Sequence, residues 1–296
     1  MKVIFGPVNS RRFKKSLGID LSPNEKCCNF DCLYCELGKA KLQYENKSNL
    51  SVEYIINELK EALKIHKDCD YISISANGEP TLYPYLDELI IKINEVKKNA
   101  KLLILSNAST IFDKNIQKAL LNLDSVKLSI DSVNPKVFRK IDRTNIDINK
   151  IVQGIKEFSQ IYKGELILEC LVLDGINDDE KDFIALNDIL KDIKATRLDL
   201  GTIDRPSDYN VKAASFEKLS KLASLITNIK VNIMSRNTNI NKYDDLLKTI
   251  SLRPLSSQEI DEKDIKMLDE LVDKNIIKCV KINDINFYKL NKSNSN

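Results

Sequence analysis

The chain has a single histidine among its 296 residues, and no apolar run approaches the ~20 residues that a membrane-spanning helix needs. The second absence predicts no transmembrane segment. No signal peptide opens the sequence, so its seven cysteines read as reduced thiols of a soluble, cytoplasmic protein, in which grouped cysteines more often bind metal than form disulfides. A strong charge imbalance is also missing: the formal net charge is +3, which neither marks nor excludes a nucleic-acid binder. The lone histidine, His66, restricts zinc chemistry, because zinc sites combine two Cys-x2-Cys pairs or cysteines with histidines. With 43% apolar residues, the chain has enough material for one large domain and a small appendix.

Three of the cysteines fall in one short stretch, Cys28-Asn29-Phe30-Asp31-Cys32-Leu33-Tyr34-Cys35. Three corners of a cubane iron–sulfur cluster can take ligands from such a loop. No fourth cysteine lies inside the pattern, so one iron would stay open to a non-protein ligand. A structural zinc site or a set of buried thiols is the alternative. Cys27 is adjacent, but neighbouring residues point apart, and His66 is distant. Cys69, Cys170 and Cys279 are scattered among apolar residues and read as small core side chains.

Strand-like runs alternate with amphipathic helical ones. Strands are expected at Ser16 to Leu21, Tyr71 to Ser75, Leu102 to Leu105, Val126 to Ile130, Leu166 to Leu173 and Arg197 to Ile203. Helices are expected after Ser51, around Leu86 to Val96, Ile116 to Leu123, Ile148 to Phe158 and Asp182 to Ile193. Six β/α units imply an α/β protein with a parallel sheet that curls into a partial barrel. Ahead of them, Lys2 to Phe5 leads into a Gly6-Pro7 turn and the polar run Ser10-Arg11-Arg12. Beyond Val231 to Met234 the pattern changes near Asn237. Leu246 to Leu252, Ile260 to Val272 and the run Val280 to Leu290 around Asn283-Asp284 read as helices followed by a hairpin. Residues 237–296 would then be either a winged-helix-like appendix or a helical cap. Polar residues follow nearly every strand, and barrel sites lie where parallel strands end.

The Cys-x3-Cys-x2-Cys spacing, with Tyr34 before its last cysteine, resembles the signature of the radical S-adenosylmethionine (SAM) superfamily. The resemblance implies a (β/α)6 partial barrel over residues 1–236 and a [4Fe–4S] cluster held by Cys28, Cys32 and Cys35. It implies SAM as the second cofactor, chelating the open iron, and a reducing electron donor of the flavodoxin or ferredoxin type. One-electron cleavage of SAM would then release methionine and a 5′-deoxyadenosyl radical. Asn77-Gly78-Glu79-Pro80 resembles the glycine–glutamate motif that binds the SAM amino group. Asn107, Ser129 and Asp131 stand where the superfamily contacts the methionine carboxylate or the ribose, though Asp131 also suits a local turn cap. Tyr34 and Glu169 complete the expected cofactor contacts; a carboxylate in so apolar a strand needs a partner.

Ser10-Arg11-Arg12, with Arg205 of Asp204-Arg205-Pro206, offers cations for a phosphate or carboxylate of the substrate. The order of these motifs resembles a branch grouped with the tRNA wyosine-forming enzymes, which implies tRNA as a partner. The extra cysteines of those enzymes are absent here. Activation of a glycyl-radical enzyme or a small-molecule reaction is the enzymatic alternative. A non-catalytic iron–sulfur or zinc regulator that binds nucleic acid is the alternative outside catalysis.

Overall fold

Every second residue of the central strands is apolar and buried, and this alternation decides which face of the sheet meets the helices. The computed structural model describes residues 3–10, 13–203, 205–234, 246, 250, 254–260, 262–282 and 285–291. Its main sheet follows sequence order through β1 (Ile4–Ser10), β2 (Lys14–Asp20), β3 (Tyr71–Ser75), β4 (Lys101–Ser106), β5 (Ser125–Ser129), β6 (Glu165–Val172), β7 (Arg197–Thr202) and β8 (Val231–Ile233). From β2 to β8 all neighbours are parallel. Between them run α1 (Val52–Ile65), α2 (Leu86–Val96), α3 (Lys114–Leu120), α4 (Pro135–Asp142), α5 (Ile148–Ile161), α6 (Glu180–Leu190) and α7 (Phe216–Ser224). The first and last strands are edges, so the barrel is partial.

The helices start where the sequence offers a cap. Ser51, Asp113, Asn134, Asp147, Asp179 and Ser215 each accept a backbone N–H from the first turn of the helix that follows. On the helix side of the sheet, Leu17, Ile19, Ile72, Ile74, Val126, Leu128, Leu166 and Leu168 are buried in one continuous core. Each such side chain stabilises the fold by about 1.5–3 kcal/mol. Many of the alternate positions are polar, among them Ser16, Ser73, Lys127, Glu169 and Asp199, so the opposite face lines a lumen that carries charge. Phe13 packs with Tyr71, Leu103 and Ile167 at the end where the strands begin.

Two features differ from the sequence reading. Gly6 to Ser10 does not form a turn but continues β1, which pairs antiparallel with β2. The register breaks between Phe5 and Val8, and this irregularity absorbs Gly6 and Pro7 while the strand continues on both sides. Helix α4 was not anticipated, although Asn134 caps it and Pro135 occupies its first turn. It is short, and its outward residues are charged.

Past β8, β9 (Leu255–Ser256), α8 (Glu262–Asp273), β10 (Ile277–Ile282) and β11 (Ile285–Leu290) form a second group, in which β11 pairs antiparallel with both β10 and β9. Leu246, Ile250, Leu255, Ile260, Leu268, Ile277 and Tyr288 make its separate core. The expected boundary near Asn237 and the Asn283-Asp284 turn lie outside the described residues.

Candidate active site

β2 delivers the chain to the cysteine loop at the rim where the parallel strands end. Cys32 is buried, while Cys28 and Cys35 are half-buried. The three thiols are electrostatic neighbours: Cys35 acts on Cys28, and both act on Cys32. Burial first, then the nearby Glu79, pushes the Cys28 thiol up to about 12. Burial and Asp142 push Cys32 well above its ordinary value. A bound cation reverses such penalties by taking the thiolates as ligands and releasing their protons. Among the described residues no three His, Cys, Asp or Glu side chains are placed to hold a single metal ion. The donor set of three thiols fits a cubane cluster, whose ligands sit on separate irons, with one iron left for another ligand.

Each sulfur has a different neighbour. Cys28 Sγ accepts from the Phe30 N–H at 3.4 Å and from Asn107 Nδ2 at 3.6 Å. Cys32 Sγ donates to Asp142 Oδ1 at 3.3 Å. Lys26 Nζ donates to Cys35 Sγ at 3.3 Å and to the Gly38 carbonyl at 2.5 Å. Cys27 Sγ instead donates to the Glu45 carbonyl at 3.4 Å, away from this group.

The Asn77-Gly78-Glu79 turn is hydrogen-bonded directly to the loop. Cys27 N donates to the Asn77 carbonyl and Glu79 N donates to the Cys27 carbonyl, both at 2.8 Å. Gly78 has φ +142°, and a β-carbon there would stand 1.7 Å from the Cys27 oxygen. The close approach that requires glycine is therefore to the chain's own loop. Glu79 is buried, with Oε1 accepting from Thr81 N at 3.0 Å, Thr81 Oγ1 at 2.7 Å and Ser106 Oγ at 2.8 Å. Its Oε2 accepts from Asn107 N at 2.7 Å. Burial raises this carboxyl even against the four donors, and no described cation forms an ion pair with it.

A buried carboxyl pair adjoins Cys32. Asp131 Oδ1 accepts from Leu171 N at 2.7 Å and Oδ2 accepts from the Tyr34 hydroxyl at 2.5 Å. Burial pushes Asp131 up to about 6, and burial together with Asp131 pushes Asp142 well above its ordinary value. Among the described residues the buried Asp142 Oδ2 has no hydrogen-bond partner. Tyr34 and Asp131 thus meet each other, while Asn107 turns to Cys28 and to Asn29 Oδ1 at 3.1 Å.

Ser129 pairs in register with Glu169 across β5 and β6. The partner that Glu169 needs is Lys127, whose Nζ lies 2.7 Å from Glu169 Oε1 and 3.3 Å from Asp199 Oδ2. The Lys127 side chain is 2% exposed and that of Glu169 26%, so the ammonium is sealed in and the carboxylate reaches the lumen. Burial pushes Asp199 up, but Lys127, Arg197 and Asn232 together outweigh it and hold it below its ordinary value. Lys127, Asp142 and Asp199 were missed from the sequence. Charged residues at alternate positions of otherwise apolar strands were the available signal for Lys127 and Asp199.

Of the three arginines, Arg205 donates to Glu36 at 3.2 Å, just past Cys35. Nearby, Tyr209 donates to Asp31 inside the loop, and its ring lies under Lys39 and Arg143 at 4.4 and 4.9 Å. Arg11 and Arg12 lie outside the described residues. Ser10 and Lys14, which flank that stretch, pair where β2 begins, at the end of the sheet opposite the cysteine loop.

Residues 26–186 match the family described as the Radical SAM superfamily. The chain belongs to the radical SAM superfamily. Its relatives include a UPF0026 protein of Helicobacter pylori, 42% identical over 97% of both chains. UPF0026 protein MJ1312 of Methanocaldococcus jannaschii is 32% identical over 88% of this chain and 86% of its own. SuiB of Streptococcus suis, solved with S-adenosylmethionine bound, shares the fold with a TM-score of 0.56 at 18% identity, over 72% of this chain and 49% of SuiB. As a radical SAM enzyme the chain uses a [4Fe–4S] cluster and S-adenosylmethionine. Among the described residues no helix is long and apolar enough to cross a membrane.

Proposed function

We propose that this radical SAM enzyme holds its cluster through Cys28, Cys32 and Cys35 and acts on a substrate that reaches the lumen. The observation that carries this reading is the direct hydrogen bonding of the Asn77-Gly78-Glu79 turn to Cys27, which ties the turn to the loop that bears the thiols. When bound and reduced, the cofactors supply one-electron cleavage of SAM to methionine and a 5′-deoxyadenosyl radical. The chain's own residues bind and orient. Phe30 N–H and Asn107 fix the Cys28 sulfur, and the buried Glu79 offers an uncompensated negative charge suited to the SAM ammonium. Ile141, Leu173 and Ile203, packed with Leu33 and Tyr34, keep water from this side of the loop. Ser129, Asp131 and Glu169 are assigned to the cofactor or substrate side of the lumen.

For the substrate we propose a nucleoside within tRNA. Its support is Lys39 and Arg143 over the Tyr209 ring beside the cysteine loop, with Arg205 held by Glu36 just past Cys35. Anaerobic incubation with SAM and dithionite should give 5′-deoxyadenosine and methionine in equal amounts, and tRNA binding should weaken steeply with salt. Cleavage of SAM without tRNA binding at low salt would retain the first proposal and remove the second.

A further inference from the structure

We propose that Lys26 sets the reduction potential of the cluster by holding a fixed positive charge against the Cys35 sulfur. The proposal rests on the reading of Cys35 as a cluster ligand. Lys26 Nζ lies 3.3 Å from Cys35 Sγ and is held in place by the Gly38 carbonyl at 2.5 Å. Among the described residues no carboxylate forms an ion pair with it, so its charge is not cancelled at close range. Among the described residues no cation donates a hydrogen bond to the other two sulfurs: Cys28 meets the neutral Phe30 N–H and Asn107 amide, and Cys32 meets the Asp142 carboxyl. Among the described residues, only the Cys35 sulfur of the three receives a hydrogen bond from a cation.

Reduction adds one electron, taken from the external donor, to the cluster and its thiolates. No bond forms or breaks at Lys26 and no proton moves. A cation against one thiolate stabilises the more negative reduced state more than the oxidised one, and hydrogen bonds to cluster sulfurs are among the determinants of potential. The role is one of positioning charge, and Lys26 need not touch the substrate.

The test is an EPR-monitored redox titration of anaerobically reconstituted wild type, Lys26→Arg, Lys26→Gln and Lys26→Met, with iron and sulfide content measured for each. Glutamine retains a donor for the Gly38 carbonyl and removes only the charge; methionine removes both. At the wild-type midpoint, the reduced-to-oxidised ratio should fall about tenfold in both neutral variants, which for one electron is ~59 mV. Lys26→Arg should keep the wild-type ratio. Fully loaded neutral variants with an unchanged midpoint would overturn the proposal. Failure of both to hold a cluster, with Lys26→Arg intact, would also overturn it by making Lys26 a scaffold for the Gly38 turn. Cys35→Ala, run alongside, separates this from the ligand assignment: if it keeps a full cluster, the assignment itself has failed.

Discussion

The Cys27 carbonyl oxygen stands 1.7 Å from where a β-carbon on Gly78 would lie. Gly78→Ala must therefore push the cysteine loop away or abandon the +142° backbone, which costs about 1–3 kcal/mol in strain alone. Thermal unfolding should show that loss, and cluster content after reconstitution should fall with it. A variant with wild-type melting temperature and iron content would show that the loop and turn are not coupled.

Glu79→Gln preserves shape but places an amide against a set of donors. Whichever way the amide lies, an N–H must replace an oxygen that now accepts from Ser106 and Thr81 or from Asn107. Each lost or opposed hydrogen bond costs about 1–3 kcal/mol when buried. Alongside this destabilisation, SAM affinity of the loaded protein should fall at least about tenfold, or ~1.4 kcal/mol, as the charge is lost. Calorimetric titration with SAM that returns the wild-type affinity would confine Glu79 to a structural task.

The barrel was legible because its signals are local. A cap such as Ser51, and two-residue alternation as in Ile72 and Ile74, are visible without knowledge of what lies opposite. The cysteine spacing was legible for the same reason. What could not be seen were pairings across long separations: Lys127 with Glu169, Tyr34 with Asp131, and the Cys27 backbone with Gly78. Gly78 was noticed, but only the folded loop reveals that a carbonyl, rather than a ligand, occupies the space beside it. Helix α4 was missed because its charged outward face hides its short apolar side, and Asp142 was missed with it.

The Asp131–Asp142 pair predicts how the cluster-free protein responds to pH. Burial raises Asp131 to about 6 in the folded chain, and Asp142 is raised well above its ordinary value. Between about pH 4 and about pH 6 the folded state therefore holds a proton that the unfolded state has released, and stability falls as pH rises through that window. The loss from Asp131 is on the order of 3 kcal/mol. Asp142→Asn leaves an amide able to donate to ionised Asp131, so the difference in melting temperature between variant and wild type should widen in the variant's favour as pH rises. A difference that stays constant from about pH 4 to about pH 7 would remove the pair as the source.

The central claim is that three cysteines of one loop hold the cluster at which SAM is cleaved. Iron content and dithionite-dependent 5′-deoxyadenosine formation, measured together for wild type and for alanine variants of Cys27, Cys28, Cys32 and Cys35, test it most directly. Wild type and Cys27→Ala should bind about four irons per chain and form 5′-deoxyadenosine, since the Cys27 thiol is turned toward Glu45. Cys28→Ala, Cys32→Ala and Cys35→Ala should each lose both. A Cys27→Ala variant as deficient as these three, or a fully loaded wild type that leaves SAM intact, would contradict the account.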